Sequence, residues 1–382
     1  MRSFRVDVGE DVLADLHERI VSTRWPTDAP GTPWTQGTDL EYLRGFLAYW
    51  AGEFDWLEQQ RRLNTLSHFE ADIDGVRIHF VHQPAVGGSG VPLLLMHGWP
   101  SCFLEYEAAI PLLTDPAAHE IDGPAFDVVV PSLPGYGFTE RPSSVGVNYG
   151  FVAERFVKLM WELGYDRFGA GGGDFGSGIA AHMALQAPDR LIGLHLTNIE
   201  IGPEHAGQSP WTPAEEAFLA ERTEWDSRER GYSAIQSTRP QTLGYALTDS
   251  PAGLAAWLLE KWRSWTDSGG DPIASLSPEF LATMLTIYWA SGSITTSMRD
   301  YFDNRWHGVD LGPDTYVKVP TAVAAFGHEH VKEADPPRSW VERMYNVQRW
   351  TEMPVGGHFA PAEEPELFAS DIAAAFADFT SR

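Results

Sequence analysis

The stretch that most constrains the fold runs from residue 171 to residue 178 and reads Gly-Gly-Gly-Asp-Phe-Gly-Ser-Gly. It stands between a strand pattern and a helical pattern. A strained strand-to-helix turn that exposes a nucleophile needs small residues two positions before and after that nucleophile, because the backbones crowd there. Gly172 and Gly176 meet this requirement around Asp174. The stretch therefore predicts a sharp turn with the Asp174 side chain at its tip.

The residue at the tip of this turn decides the chemistry. A carboxylate is already charged at neutral pH, so Asp174 needs no base to activate it as a nucleophile. It can displace a leaving group at an sp³ carbon and form an ester that water then cleaves, and the N-terminus of the following helix favours its charge. A phosphate-binding loop or a plain tight turn is the alternative interpretation, but the spacing fits neither G-x-G-x-x-G nor the P-loop.

Strand and helix patterns alternate around this turn. Strands are predicted at residues 69–73, 76–81, 92–96, 126–130, 167–171 and 191–196, and helices at about 149–163 and 176–186, with a glycine-rich turn before the second helix. Asp74-Gly75 between the first two strands is a hairpin signal, and short, wholly apolar runs are typical of buried parallel strands. The alternation predicts an α/β fold with a doubly wound, mostly parallel central sheet.

The patterning divides the chain into four segments. Residues 1–68 have apolar residues at helical spacing, interrupted by prolines, and are interpreted as an N-terminal extension that packs on the rest. The alternating pattern occupies residues 69–199 and resumes over residues 313–382. Residues 200–312 between them are helix-like and rich in Trp and Tyr. The sequence thus predicts a two-part α/β core with an inserted helical cap.

A second segment fits the predicted turn. His-Gly-Trp-Pro at residues 97–100 follows directly on the apolar strand pattern that ends at Met96. This order of motifs resembles that of the α/β-hydrolases, in which a loop in this place supplies one backbone N–H of an oxyanion hole and the residue after the nucleophile supplies the other. These two residues would be Trp99 and Phe175.

A histidine and an acid complete the predicted catalytic group. His358 lies in a Gly-Gly-His-Phe-Ala loop near the end of the chain, so the nucleophile comes first and the histidine last, and we interpret His358 as the general base. Glu329 follows a predicted strand at residues 319–326 and is the preferred acid to orient His358. Glu333 and Asp335 lie close behind it and remain alternatives.

A metal site and a cofactor site are not expected. His328 and His330 are two residues apart, whereas zinc sites on helices prefer histidines four apart, and no third ligand is evident. The formal net charge of −26 disfavours nucleic acid and anionic membranes as partners. A single cysteine, Cys102, and the lack of a long apolar run favour a cytoplasmic protein without a membrane anchor. A homodimer is left open.

Together these motifs resemble the epoxide hydrolases of the α/β-hydrolase superfamily, in particular the branch typified by microsomal epoxide hydrolase. The resemblance covers nearly the whole chain, including the N-terminal extension, the His-Gly-Trp-Pro loop, the turn around Asp174 and the loop around His358. It implies an α/β-hydrolase fold and the conversion of an epoxide, with water, to a vicinal diol. Soluble family members from enediyne biosynthesis, which act on aryl-substituted epoxides, are also similar.

The resemblance also assigns roles in the cap. Family members protonate the opening ring with two tyrosines, which match Tyr232 and Tyr301 here; a phenol suits this task because it donates a hydrogen bond. Spacing alone does not distinguish these two from Tyr245 or Tyr288. The same match places the orienting acid at Glu329. The many aromatic residues of the cap favour a bulky or aryl-substituted epoxide as the substrate.

Three other functions compete with this interpretation. A haloalkane dehalogenase shares the Asp nucleophile, but it typically needs a Trp N–H directly after it, and Phe175 has no such donor. A ligand-binding relative without activity is disfavoured by the complete set of nucleophile, base and acid. A serine esterase is nearly excluded, because Ser177 stands three residues after the tip of the turn.

Overall fold

One nine-stranded sheet forms the centre of the protein. The computed structural model describes residues 1–203, 210–327 and 336–381. The strands are β1 (Arg2–Ser3), β2 (His68–Ile73), β3 (Val76–Gln83), β4 (Val91–Met96), β5 (Phe126–Pro131), β6 (Phe168–Gly172), β7 (Leu191–Leu196), β8 (Val317–Ala325) and β9 (Tyr345–Glu352). Their order in the sheet is β1-β2-β3-β5-β4-β6-β7-β8-β9. The three pairings at the β1 end are antiparallel and the other five are parallel, so the expected mostly parallel sheet is confirmed.

The local signals for the first strands hold in the structure. The β2–β3 hairpin pairs Ile73 with Val76 across the predicted Asp74-Gly75 turn, and both turn residues have positive φ. Strand β4 lies between β5 and β6 with its last four residues buried, as its apolar composition predicts.

Strand β6 agrees, within one residue, with the strand predicted at residues 167–171, and it is fully buried between β4 and β7. The poor strand propensity of its glycines is overridden because the backbone is paired on both sides. A Cβ on Gly169 would also lie 2.2 Å from the Phe376 ring, so glycine permits the close packing here. The short strand β1 in the N-terminal segment was not predicted.

Sixteen helices surround the sheet within the described ranges. They are α1 (Glu10–Val21), α2 (Leu40–Gly52), α3 (Trp56–Leu63), α4 (Ala109–Thr114), α5 (Tyr149–Glu162), α6 (Phe175–Gln186), α7 (Pro213–Glu229), α8 (Gly231–Gln236), α9 (Pro240–Asp249), α10 (Pro251–Trp265), α11 (Pro272–Ser275), α12 (Pro278–Ser291), α13 (Ile294–His307), α14 (Arg338–Glu342), α15 (Ala360–Glu363) and α16 (Pro365–Thr380). On the sheet, α5 packs against α6 and α4 packs against α16. Among these described helices, none has both the length and the apolar character needed to cross a bilayer.

Helices α7 to α13 all lie between β7 and β8 in the chain. The N-terminal helices pack on this group: α1 and α2 contact α10, and the indole N–H of Trp50 donates to the Thr286 hydroxyl at 2.9 Å. Helix α13 is tied to the loop that follows β5, because Arg141 binds the carboxylates of Asp300 and Asp303. All three of these side chains are buried, so α13 is held in a defined position over the sheet.

Candidate active site

A strained turn joins β6 to α6. Asp174 stands at its tip with φ 51° and ψ −130°, a conformation that is costly for a residue other than glycine. A Cβ on Gly172 would lie 2.3 Å from the Met96 carbonyl oxygen, and one on Gly176 would lie 2.0 Å from it. Side chains at these two positions would therefore collide with the end of β4, which gives a structural reason for the small residues in the sequence.

Two backbone N–H groups hold one oxygen of the Asp174 carboxylate. The N–H of Trp99 donates to Oδ1 at 2.9 Å and the N–H of Phe175 donates to the same atom at 2.7 Å. Both donors come from the carboxyl ends of neighbouring parallel strands, since β4 leads into the loop of Trp99 and β6 leads into Phe175. The donors would stabilise negative charge on this oxygen.

His97 fixes the loop that presents Trp99. Its Nε2 accepts a hydrogen bond from the Leu133 N–H at 3.1 Å, and burial lowers its pKa to about 4. The imidazole is therefore neutral near pH 7 and acts as an acceptor rather than as a charge. We assign it a structural role in the loop.

His358 faces the other oxygen of Asp174. Its Nε2 lies 3.6 Å from Oδ2, and its backbone N–H donates to the Trp265 carbonyl at 2.8 Å. The Glu363 carboxylate orders the surrounding loop by accepting from the N–H groups of Gly357 at 3.2 Å and Phe359 at 3.0 Å. The histidine is thus placed beside the carboxylate by backbone contacts as well as by packing.

The two matched tyrosines also meet above the turn. The rings of Tyr232 and Tyr301 are 5.8 Å apart between centroids, and the Tyr301 ring lies 4.8 Å from that of Phe175. Burial raises the pKa of Tyr301 well above its ordinary value, so its hydroxyl keeps its proton. The other two tyrosines have different surroundings: Tyr245 is 71% exposed, and the Tyr288 hydroxyl donates to the Ser101 carbonyl.

A cavity of about 770 Å³ opens beside this group. Its walls include Asp174, Phe175, Tyr232 and Tyr301, of which Phe175 and Tyr232 are buried. Its rim is polar and exposed, with Glu200, Ser227, Arg230 and Arg305 among the lining residues. The cavity therefore joins a carboxylate and two phenols at its inner end to a polar entrance.

Three buried residues near the site were not singled out by the motifs. The Trp265 ring lies 5.2 Å from that of Tyr232 and 5.0 Å from that of His358. The ammonium of Lys261 lies over the Tyr232 ring. Burial raises the pKa of Glu105 to about 7, while Ser101 and His358 oppose that shift. Trp265 belongs to the aromatic pattern of the cap, but nothing in the local spacing marks Lys261 or Glu105.

The predicted orienting acid, Glu329, lies outside the described residues, as do the alternatives Glu333 and Asp335 and the pair His328 and His330. In the parts of the chain that the structure covers, no group of three or more potential metal ligands occurs.

Comparisons with known proteins agree with this architecture. Residues 1–106 match the family described as "Epoxide hydrolase N terminus", and residues 91–238 match "alpha/beta hydrolase fold". The chain is 38% identical to "Epoxide hydrolase 1" of Sus scrofa, over 97% of this chain and 87% of that protein.

Two solved structures are similar over nearly their whole lengths. Juvenile hormone epoxide hydrolase from the silkworm Bombyx mori has a TM-score of 0.84 at 32% identity, covering 100% of this chain and 94% of that chain. Aspergillus niger epoxide hydrolase has a TM-score of 0.84 at 27% identity, covering 99% and 96%. The family and the fold expected from the motifs are confirmed: the chain belongs to the epoxide hydrolases of the α/β-hydrolase fold.

Proposed function

We propose that the chain converts an epoxide to a vicinal diol in two steps, through an ester between Asp174 and the substrate. The observation that carries this proposal is the different environment of the two oxygens of the Asp174 carboxylate. Oδ1 is bound by two backbone N–H groups, whereas Oδ2 faces His358 and is the oxygen available for attack. A carboxylate in this arrangement is a nucleophile that needs no deprotonation.

In the first step, Oδ2 attacks a ring carbon and the carbon–oxygen bond of the epoxide breaks. The electron pair of that bond moves to the ring oxygen, which takes a proton from a cap phenol. Tyr232 and Tyr301 are the proposed donors, since both rings lie at the inner end of the cavity with the nucleophile. The products of this step are the ester on Asp174 and a phenolate.

In the second step, water attacks the carbonyl carbon of the ester. His358 takes a proton from this water, and the negative charge that develops on Oδ1 is stabilised by the N–H groups of Trp99 and Phe175. The tetrahedral intermediate then collapses, which releases the diol and restores the Asp174 carboxylate. The proton taken by His358 returns to the phenolate, so the cycle closes. Glu329 is the proposed acid that stabilises the cationic form of His358.

We propose a bulky or aryl-substituted epoxide as the substrate. The size of the cavity and the aromatic rings at its inner end support this class, since aromatic rings pack against one another favourably. We also propose that the chain is divided into an N-terminal extension (residues 1–68), a two-part core (69–199 and 313–382) and a cap (200–312). We propose the cytoplasm as the location of the protein.

Trapping the ester tests the mechanism. In His358→Gln the first step should proceed and the second should stall, so that mixing with styrene oxide adds the full mass of the epoxide to Asp174. His119→Gln, a change at an exposed histidine on the surface, serves as the control and should turn over without accumulating an adduct. Peptide mass spectrometry locates the added mass.

An isotope experiment separates this mechanism from direct attack by water. In a single turnover of the unmodified enzyme in heavy-oxygen water, the label should enter the Asp174 carboxylate and not the diol. Label in the diol of the first turnover, together with no adduct on His358→Gln, means that water opens the ring and Asp174 is not the nucleophile. Parallel assays with aliphatic epoxides and 1-haloalkanes define the substrate class, and preferred turnover of haloalkanes would contradict epoxide opening.

A further inference from the structure

A buried lysine lies against the phenol ring of Tyr232. The side chain of Lys261 is only 7% exposed, and its Nζ lies 4.6 Å from the centroid of the Tyr232 ring and 5.9 Å from that of Trp265. A buried ammonium is costly unless it is paired, and Lys261 is paired with Glu260 at 2.5 Å. The two-step mechanism described above does not use this charge.

We propose that Lys261 is a positioning residue for ring opening, whose charge stabilises the negative charge that forms on Tyr232 as this phenol gives its proton to the epoxide oxygen. The inference rests on the proposed role of Tyr232 as a proton donor. The face of an aromatic ring is negative, so a cation is attracted to it, and the attraction grows when the ring becomes a phenolate. Lys261 therefore favours the product of the proton transfer over the neutral phenol.

The position of Lys261 makes its charge effective. Both Lys261 and Tyr232 are buried, with 5% and 7% of their surface exposed, and a charge acts more strongly where water is excluded. The nearby rings of Trp99 and Trp265 hold Tyr232 in place, since their centroids lie 5.5 Å and 5.2 Å from its own. The phenol ring is thus held against the ammonium of Lys261.

Other ionisable groups surround this part of the cavity and bear on any pH profile. They are Asp174 at the turn, Tyr301 on α13, His358 after β9, Asp226 and Arg230 on the rim, and Glu260 beside the lysine. Glu260 is the group that bears most directly on Lys261, because it partly neutralises the ammonium.

The test measures ring opening alone, in a His358→Gln background that stops after the first step. Rapid mixing with styrene oxide, quenching and mass spectrometry give the rate at which the adduct forms. Lys261→Met should slow this rate about tenfold, which corresponds to ~1.4 kcal/mol. It should also move the alkaline limb of the pH profile of this rate to higher pH. Lys261→Arg should restore the rate, because it keeps the charge. Lys318→Met, at an exposed lysine on β8, is the matched control.

A double-mutant comparison ties the effect to Tyr232. In a Tyr232→Phe background, Lys261→Met should slow adduct formation no further, because the phenol through which it acts is gone. Equal slowing in both backgrounds, or a folded Lys261→Met variant with the unmodified rate, overturns the inference. If Tyr232→Phe itself leaves the rate of ring opening unchanged, the assignment of Tyr232 as a proton donor is wrong as well. If Tyr232→Phe slows ring opening while Lys261→Met does not, only the role proposed for Lys261 is wrong.

A second variant keeps the test informative if Lys261→Met does not fold. Lys261→Gln removes the charge but keeps a polar side chain at this position. It should slow adduct formation and move the alkaline limb of this rate to higher pH, as Lys261→Met does. An unchanged rate in folded Lys261→Gln contradicts the proposal.

Discussion

The Nε2 atom of His358 lies 3.6 Å from Oδ2 of Asp174, on the side of the carboxylate that the backbone donors leave open. This separation exceeds the length of an ordinary hydrogen bond, so the histidine lies close to the proposed nucleophile without a hydrogen bond to the oxygen that is proposed to attack. Oδ1, in contrast, is bound by two N–H groups. The geometry suits a carboxylate that attacks with one oxygen and keeps the other where charge develops during ester hydrolysis.

The two tyrosines are expected to act together in ring opening. Replacing both Tyr232 and Tyr301 with Phe should abolish formation of the adduct, because no phenol then remains to protonate the ring oxygen. Either single change should leave weak activity, since the other phenol can still donate. Adduct formation in single turnovers measures the effect, and near-ultraviolet circular dichroism checks the fold. Ring opening at the unmodified rate in the double variant would refute both assignments.

Glu329 is expected to act on the second step. Glu329→Gln should slow ester hydrolysis more than ester formation, because the cationic form of His358 arises only when water is deprotonated. Pre-steady-state measurements of adduct formation and decay separate the two rates. Asp335→Asn is the matched control and should stay close to the unmodified enzyme. If Asp335→Asn slows ester hydrolysis more than Glu329→Gln does, Asp335 is the orienting acid instead.

Arg141 is expected to secure the helix that carries Tyr301. Arg141→Met leaves the buried carboxylates of Asp300 and Asp303 without their cation, and breaking such a pair typically costs about 3–5 kcal/mol of unfolding free energy. Urea denaturation measures the loss. Arg44→Met removes an exposed ion pair with Glu41 and should change the unfolding free energy by less than about 1 kcal/mol. Similar, small losses in both variants would show that the buried pair does not stabilise α13.

Glu215 is expected to make stability depend on acid pH. The hydrogen bond from Arg343 lowers the pKa of this buried carboxyl to about 2, against an ordinary value of 4.5. A lowered pKa stabilises the folded state above the unfolded-state pKa, and this contribution is lost as the pH falls towards about 2. The full contribution is about 3 kcal/mol, because each unit of pKa difference corresponds to about 1.4 kcal/mol.

The comparison with Glu215→Gln isolates this contribution. The unmodified protein should lose about 2–3 kcal/mol more unfolding free energy than Glu215→Gln when the pH falls from about 5 to about 2. Denaturant titrations at several pH values measure the difference. Glu342→Gln, at an exposed ion pair with Arg338, should behave like the unmodified protein. Parallel pH curves for the unmodified protein and Glu215→Gln would refute the assigned ion pair.

Local patterns in the sequence were enough to predict the strained turn at Asp174, the hairpin at Asp74-Gly75 and the mostly parallel sheet. The hairpin at Asp74-Gly75 follows from the φ values that its residues must adopt, a constraint that acts within the turn itself. The glycine pattern around Asp174 marks the strained turn, although the backbone that excludes larger side chains there belongs to Met96, at the end of a strand distant in the chain. The alternation of strand and helix patterns likewise reflects local burial, so the mostly parallel sheet could be predicted.

Tertiary structure alone decided the features that depend on distant segments. Strand β6 pairs with β4 on one side and β7 on the other, and local patterns do not reveal which strands become neighbours in the sheet. Spacing could not separate Tyr301 from Tyr245, since both lie on helices between β7 and β8; one packs on Phe175 and the other is exposed. No motif in the sequence marks Lys261. Its place against Tyr232 results from packing between α10 and α8, and such contacts between distant parts of the chain exist only once the chain has folded.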